Sequence, residues 1–196
     1  MLACASSDGH VSIISQTEQG GWQTEMYPVS NMGLISVSWA PASHIGSQSN
    51  NHEIRRFVTA GCDYQVYIFR KVVSTQATSW EREHALSGHS DWVRDVAWAP
   101  PSGIPMNTIA SCSEDGAVFI WNQHEPEGPW NRTELPRFSA PVWRVSWSLT
   151  GTLLAVSCGD NTVTLWKETL SGKWQQVNEV ESEPVAENAQ HQASNQ

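Results

Sequence analysis

SEDGAVFIW, Ser113 to Trp121, is the stretch that decides how this chain is read, because its pattern returns three more times. SSDGHVSII ends at Ile14, GCDYQVYIF at Phe69 and CGDNTVTLW at Trp166. In each, an Asp holds the third place, and β-branched or aromatic residues then fall on alternate positions. That is a tight turn entering a period-2 strand. The four turn residues, Asp8, Asp63, Asp115 and Asp160, are spaced by 55, 52 and 45 residues. Self-similarity at that period with β patterning predicts propeller blades rather than one sandwich.

Composition narrows the class. The 196 residues are 39% hydrophobic and include 11 Trp, which suits one packed domain. Of the net charge of −9, −4 falls in residues 178–196, which hold Glu179, Glu181, Glu183 and Glu187 and no Lys or Arg. With no Lys/Arg run and a pI near 5.1, a nucleic-acid surface is not expected. No apolar run approaches the roughly 20 residues of a membrane-spanning helix. The opening MLACASSDG has no basic segment followed by an apolar core, so no secretory signal is read there. Cys4, Cys62, Cys112 and Cys158 each precede a turn Asp by one to four residues. They follow the repeat and form no CxxC, so they are expected to be small core residues, not a metal site or a disulfide framework. Free thiols of that kind suit the cytosol or nucleus.

Taken in order, the chain divides into units at 1–29, 30–86, 87–135 and 136–180, with 181–196 an acidic tail of disordered composition. The first unit opens with MLACA as the end of a strand and has no strand before it. Met1 is therefore expected to be an internal methionine of a longer protein, or the mark of a truncated gene model. In the second unit LISVSW (34–39) is an inner strand stopped by Pro41, and Ser43 to Arg55 is a polar surface insertion. Strands at 57–60 and 65–69 flank Asp63, and Trp80 begins the outer strand.

The third unit carries the sharpest signature. Gly88-His89 precedes WVRDVAW (92–98), and Trp121 ends a later strand, which is the WD-repeat pattern. In that repeat a His bonds the turn Asp, and a strand Ser or Thr links them to the Trp ring nitrogen. His89, Ser111, Asp115 and Trp121 occupy those places here. The other units lack the His, so their networks, built on Asp8, Asp63 and Asp160, are expected to be partial. VWRVSW (142–147) opens the fourth unit. Trp22, Trp80, Trp130 and Trp174 form one column, Trp39, Trp98 and Trp147 a second, and Trp121 and Trp166 a third, all expected to pack between blades. Trp92 and Trp143 stand outside these columns, near the starts of inner strands.

Catalytic chemistry finds no foothold. There is no G-x-S-x-G, no H-E-x-x-H and no glycine-rich phosphate loop. His10, His44, His52, His84, His124 and His191 are scattered through turns, loops, an outer strand and the tail. The four Asp are a blade apart, which suits turn building and not paired acid–base work. No enzyme activity, cofactor or metal is expected.

Three blocks carry a closer resemblance: SDWVRDVAWAP (90–100), TIASCSEDGAVFIW (108–121) and DNTVTLWKE (160–168). VSWAP (37–41) and RFVTAGCD (56–63) add to it. To about Val180 the chain resembles the Sec-thirteen family, the small WD-repeat subunits shared by the COPII outer coat and the nuclear-pore Y complex. The resemblance implies an all-β, six-bladed open propeller, of which this chain matches an open arc of about three and three-quarter blades. It further implies closure in trans, by a blade that a helical-rod partner inserts. The partner is a Sec-thirty-one-type coat subunit or a Y-complex nucleoporin. It implies ER-to-Golgi transport at ER exit sites and COPII vesicles, nuclear pore organisation with mRNA transport, and a nutrient-signalling complex at the lysosome. On this reading Val142, Trp143, Val145 and Trp147 are expected at the last-blade wall, with Trp92 a contact on the top face. The alternative is a general WD-repeat adaptor that recruits a peptide or signalling partner on that top face.

Overall fold

The computed structural model describes residues 1–42, 48–49, 52–73 and 78–177, and every regular element among them is a strand. The first sheet joins β1 (Leu2–Ala5), β2 (His10–Gln16) and β3 (Trp22–Pro28) in chain order. The second joins β4 (Leu34–Trp39) to three later strands, after a two-stranded hairpin of β5 (Gln48–Ser49) and β6 (His52–Glu53) inside the polar insertion. Its remaining strands are β7 (Arg56–Gly61), β8 (Gln65–Val73) and β9 (Thr78–Ser87). The third is β10 (Val93–Trp98), β11 (Asn107–Ser113), β12 (Val118–Gln123) and β13 (Asn131–Glu134). The fourth is β14 (Val142–Trp147), β15 (Leu153–Cys158), β16 (Val163–Glu168) and β17 (Trp174–Val177). All pairings are antiparallel, so each four-stranded sheet is a meander of the kind a propeller blade requires. The acidic tail and residues 74–77 lie outside the described residues.

The blades stack through three apolar seams of one type. An aliphatic face of each sheet meets an aromatic face of the next. Ala3, Ala5, Val11 and Ile13 of the first sheet pack on Trp39, Phe57, Phe69 and Trp80 of the second. Val58, Ala60, Val66 and Ile68 pack on Trp98, Phe119 and Trp121, with Trp130 beside them. Ala110, Cys112, Val118 and Ile120 pack on Trp147, Trp166 and Trp174 of the fourth. Two of the Trp columns meet within each blade. The Trp that ends each inner strand touches the Trp that begins the outer strand of its own blade. Ring centroids are 5.5 Å apart for Trp39–Trp80, 5.7 Å for Trp98–Trp130 and 5.9 Å for Trp147–Trp174.

Trp22 breaks the column. It is 65% exposed, against the expectation of packing. The first sheet has no strand corresponding to β4, β10 and β14, so Trp22 has neither an inner-strand Trp beside it nor a preceding sheet over it. Cys4 is corrected for the same reason. It lies on that uncovered face and is exposed, whereas Cys112 and Cys158 are buried and Cys62 is half-buried.

Candidate functional site

Each of the four turns is built the same way. The Asp side chain accepts the backbone N–H two residues on: His10 at 3.1 Å, Gln65 at 3.3 Å, Ala117 at 2.8 Å and Thr162 at 3.0 Å. The residue between adopts a left-handed backbone in every case, with φ of 84° at Gly9, 67° at Tyr64, 77° at Gly116 and 66° at Asn161. Such turns explain the Asp at that place in each repeat, because Asp closes its own backbone turn.

The third blade adds the buried chain anticipated from its sequence. Trp121 Nε1 donates to Ser111 Oγ at 2.9 Å, and Ser111 lies 2.8 Å from His89 Nε2. The Asp115 carboxylate faces His89 Nδ1, with Oδ2 3.3 Å away, and can only accept. The ring proton of His89 therefore sits on Nδ1, and Nε2 takes the proton of the Ser111 hydroxyl. Burial opposes ionisation of Asp115. The donors on it, His89 together with the N–H groups of Ser90 and Ala117, nonetheless hold its carboxyl well below the usual carboxylate range. The second blade uses different residues for the same task. Ser30 Oγ donates to Asp63 Oδ2 at 2.5 Å, and Tyr67 OH donates to the same oxygen at 2.8 Å. In the fourth blade Asp160 and Trp166 are served separately by Thr162 and Thr164.

The inner strands carry hydrogen bonds across the seams that the sequence reading passed over. β4, β10 and β14 each have a bulge at their second residue, Ile35, Arg94 and Trp143. The bulge puts Ser36, Asp95 and Arg144 at equivalent places. Ser36 Oγ accepts the N–H of Val96 at 3.3 Å and donates to Asp95 Oδ1 at 2.7 Å. Asp95 Oδ2 accepts the N–H of Val145 at 3.1 Å. The second and third blades thus receive the next inner strand on a side-chain oxygen. The signal was present as a charged residue inside the apolar alternation of VRDVAW. A second unforeseen pair, Arg56 and Glu83, is buried with 2.7 Å between guanidinium and carboxylate.

The bulge residues also shape one end of the arc. Arg94 lies between two indoles, 5.2 Å from the Trp92 ring centroid and 4.8 Å from that of Trp143, and is ion-paired with Glu114. Trp92 and Trp143 are 40% and 39% exposed.

Of the residues assigned to the last-blade wall, Val142 and Val145 are buried in the third seam, and Trp147 packs against the same cluster. They face the third blade. The free face of the fourth sheet is the opposite one, one residue out of phase. It presents Leu153, Ala155, Val163 and Leu165 with Val177 of the edge strand. This is an aliphatic face of the same type that covers the aromatic face at each internal seam. The first sheet offers the converse, an uncovered face with Leu2, Trp22 and Met26 exposed. Among the described residues no group of three His, Cys, Asp or Glu could hold a metal ion. The exposed His124 and the half-buried His10 and His84 form no cluster, and the side chains of His44, His52 and His191 lie outside the described residues.

Comparison with known proteins gives the repeats an identity. The family model of the WD domain, G-beta repeat, matches residues 80–122 and 132–167. Protein transport protein SEC13 of Mycosarcoma maydis is 41% identical over 210 residues, covering 93% of this chain and 57% of that protein. The human protein SEC13 homolog is 44% identical over 184 residues, covering 89% of this chain and 56% of its own length. The Drosophila melanogaster homolog is 42% identical, covering 91% and 51%. The chain therefore spans little more than half the length of the curated relatives it matches.

Proposed function

The chain is a WD-repeat homologue of the SEC13 proteins, and on that premise we propose that it is a structural subunit of the COPII vesicle coat and of the nuclear-pore Y complex. Its task is to complete a propeller with a blade inserted by a helical-rod partner, a Sec-thirty-one-type coat subunit or a Y-complex nucleoporin. The observation that carries this reading is the free aliphatic face of the fourth sheet, with Val163 66% and Leu165 43% exposed. Every equivalent face in the stack is covered by the next blade. Burying such a face contributes roughly 25 cal/mol per Å², and an incoming sheet supplies it with the shape that the internal seams already use. The closed unit stiffens the rod so that a coat can bend a membrane or a pore can be lined. No bond is made or broken in this task. Places of action on this reading are ER exit sites, the nuclear envelope and a nutrient-signalling complex at the lysosome.

The test is recovery of the endogenous protein from cells with quantitative mass spectrometry of what accompanies it. Rod subunits of coat and pore in near-equal amount support the reading, and the absence of both overturns it. One observation favours a second reading, a peptide adaptor: the exposed Trp92–Arg94–Trp143 sandwich at one end. Under it, Trp92→Ala removes the partners while Leu165→Asp leaves them in place.

A further inference from the structure

We infer that Arg144 selects what covers the free face, by requiring a carboxylate on the inner strand of the incoming blade. This rests on the docking reading above and deepens it.

The inference comes from comparing equivalent places at three inner strands. Ser36 and Asp95 each meet the next inner strand with an oxygen, which accepts the N–H of Val96 or Val145. At the third place stands Arg144, exposed and without a hydrogen bond or ion pair to any described residue. A guanidinium has five donors and no acceptor. It cannot receive the N–H of an ordinary following strand as its two counterparts do. A blade that repeated the internal seam would bury that charge without a partner, at a cost of several kcal/mol for an unpaired ion. A blade bearing Asp or Glu opposite Arg144 turns the cost into a bidentate, charge-assisted contact.

The charge of the whole face agrees. Its residues on the four strands include Arg144 and, near the other end, Lys167 paired across from Leu153. No Asp or Glu shares it, although the chain as a whole carries −9. The same feature argues against a second copy of this chain as the occupant. The uncovered face of the first sheet presents Leu2, Cys4, Ser12, Ile14, Trp22 and Met26, with no carboxylate and no inner strand.

The experiment measures binding of a recombinant Sec-thirty-one-type coat subunit to the protein and to four variants: Arg144→Met, Arg144→Glu, Arg144→Lys and Leu165→Asp. Both sites are exposed, and an unchanged thermal melt checks folding. Expected are a loss of at least about tenfold for Arg144→Met and a larger one for Arg144→Glu. Arg144→Lys retains part of the affinity, and the Arg144→Met loss shrinks as salt is raised. Reversal of one Asp or Glu in the partner's inserted strand to Lys restores binding to Arg144→Glu. If Leu165→Asp abolishes binding while all three Arg144 variants bind as the parent does, the carboxylate requirement is wrong and the docking reading survives. If Leu165→Asp also binds normally, the docking reading fails with it. Growth of a homodimer in place of the heterocomplex overturns the assignment of the occupant.

Discussion

At the residue scale, the third blade is fixed by a chain of hydrogen bonds in which no member can be dropped cheaply. Ser111→Ala leaves the Trp121 N–H and His89 Nε2 without their buried partner. The expected loss of unfolding free energy is about 1–3 kcal/mol by chemical denaturation, and no loss would mean that the chain does not anchor the blade. Asp115 adds a pH dependence whose sign follows from its lowered pKa. A carboxyl held below its unfolded value stabilises the fold above the ordinary carboxylate pKa of about 4. That contribution fades as pH falls below this range. Asp115→Asn should therefore flatten the acid limb of the stability curve relative to the parent chain. Tyr64 makes the opposite case. It holds φ at 67° where two other turns use Gly, so its left-handed backbone is strained by roughly 1–2 kcal/mol. Tyr64→Gly should raise the melting temperature, since the relief exceeds the roughly 0.5–1 kcal/mol entropic cost of glycine; a lower melting temperature would contradict this. The His–Ser–Asp–Trp set was legible in the sequence because its members fall at repeat-specific places. Ser30 and Tyr67 serving Asp63 were not, because a hydroxyl standing in for a His leaves no motif.

At the element scale, the bulged inner strands do the joining between blades. Asp95 bonds residues of the blades on both sides, through Ser36 and Val145. Asp95→Leu should destabilise the arc by about 1–3 kcal/mol, since two buried donors lose their acceptor. Asp95→Asn, which keeps one acceptor, should cost less, and equal losses would deny Asp95 the role of a shared acceptor. Most strand positions were readable to within a residue or two from alternation and turn chemistry, but β8 runs to Val73, four residues past the expected Phe69, and the β5–β6 hairpin in the polar insertion was not read. Which face of the fourth sheet is free was not readable. Alternation puts Val145 and Trp147 on one side and the bulge at Trp143 brings Val142 to the same side, but only the neighbour on that side tells whether it is covered. A phase error of one residue then moves the expected wall from Arg144 and Leu165 to Val142 and Trp147.

At the scale of the whole molecule, three seams of one kind leave a face with Leu2, Trp22 and Met26 exposed at one end and an aliphatic face at the other. An arc with both faces bare invites association. The central claim is that the free face of the fourth sheet is where a partner's blade sits. The test is maleimide labelling of Leu165→Cys in the protein, free and in complex with the rod subunit. Protection of the new thiol by at least about tenfold in the complex is the predicted result. Labelling at the same rate in an intact complex would place the partner elsewhere.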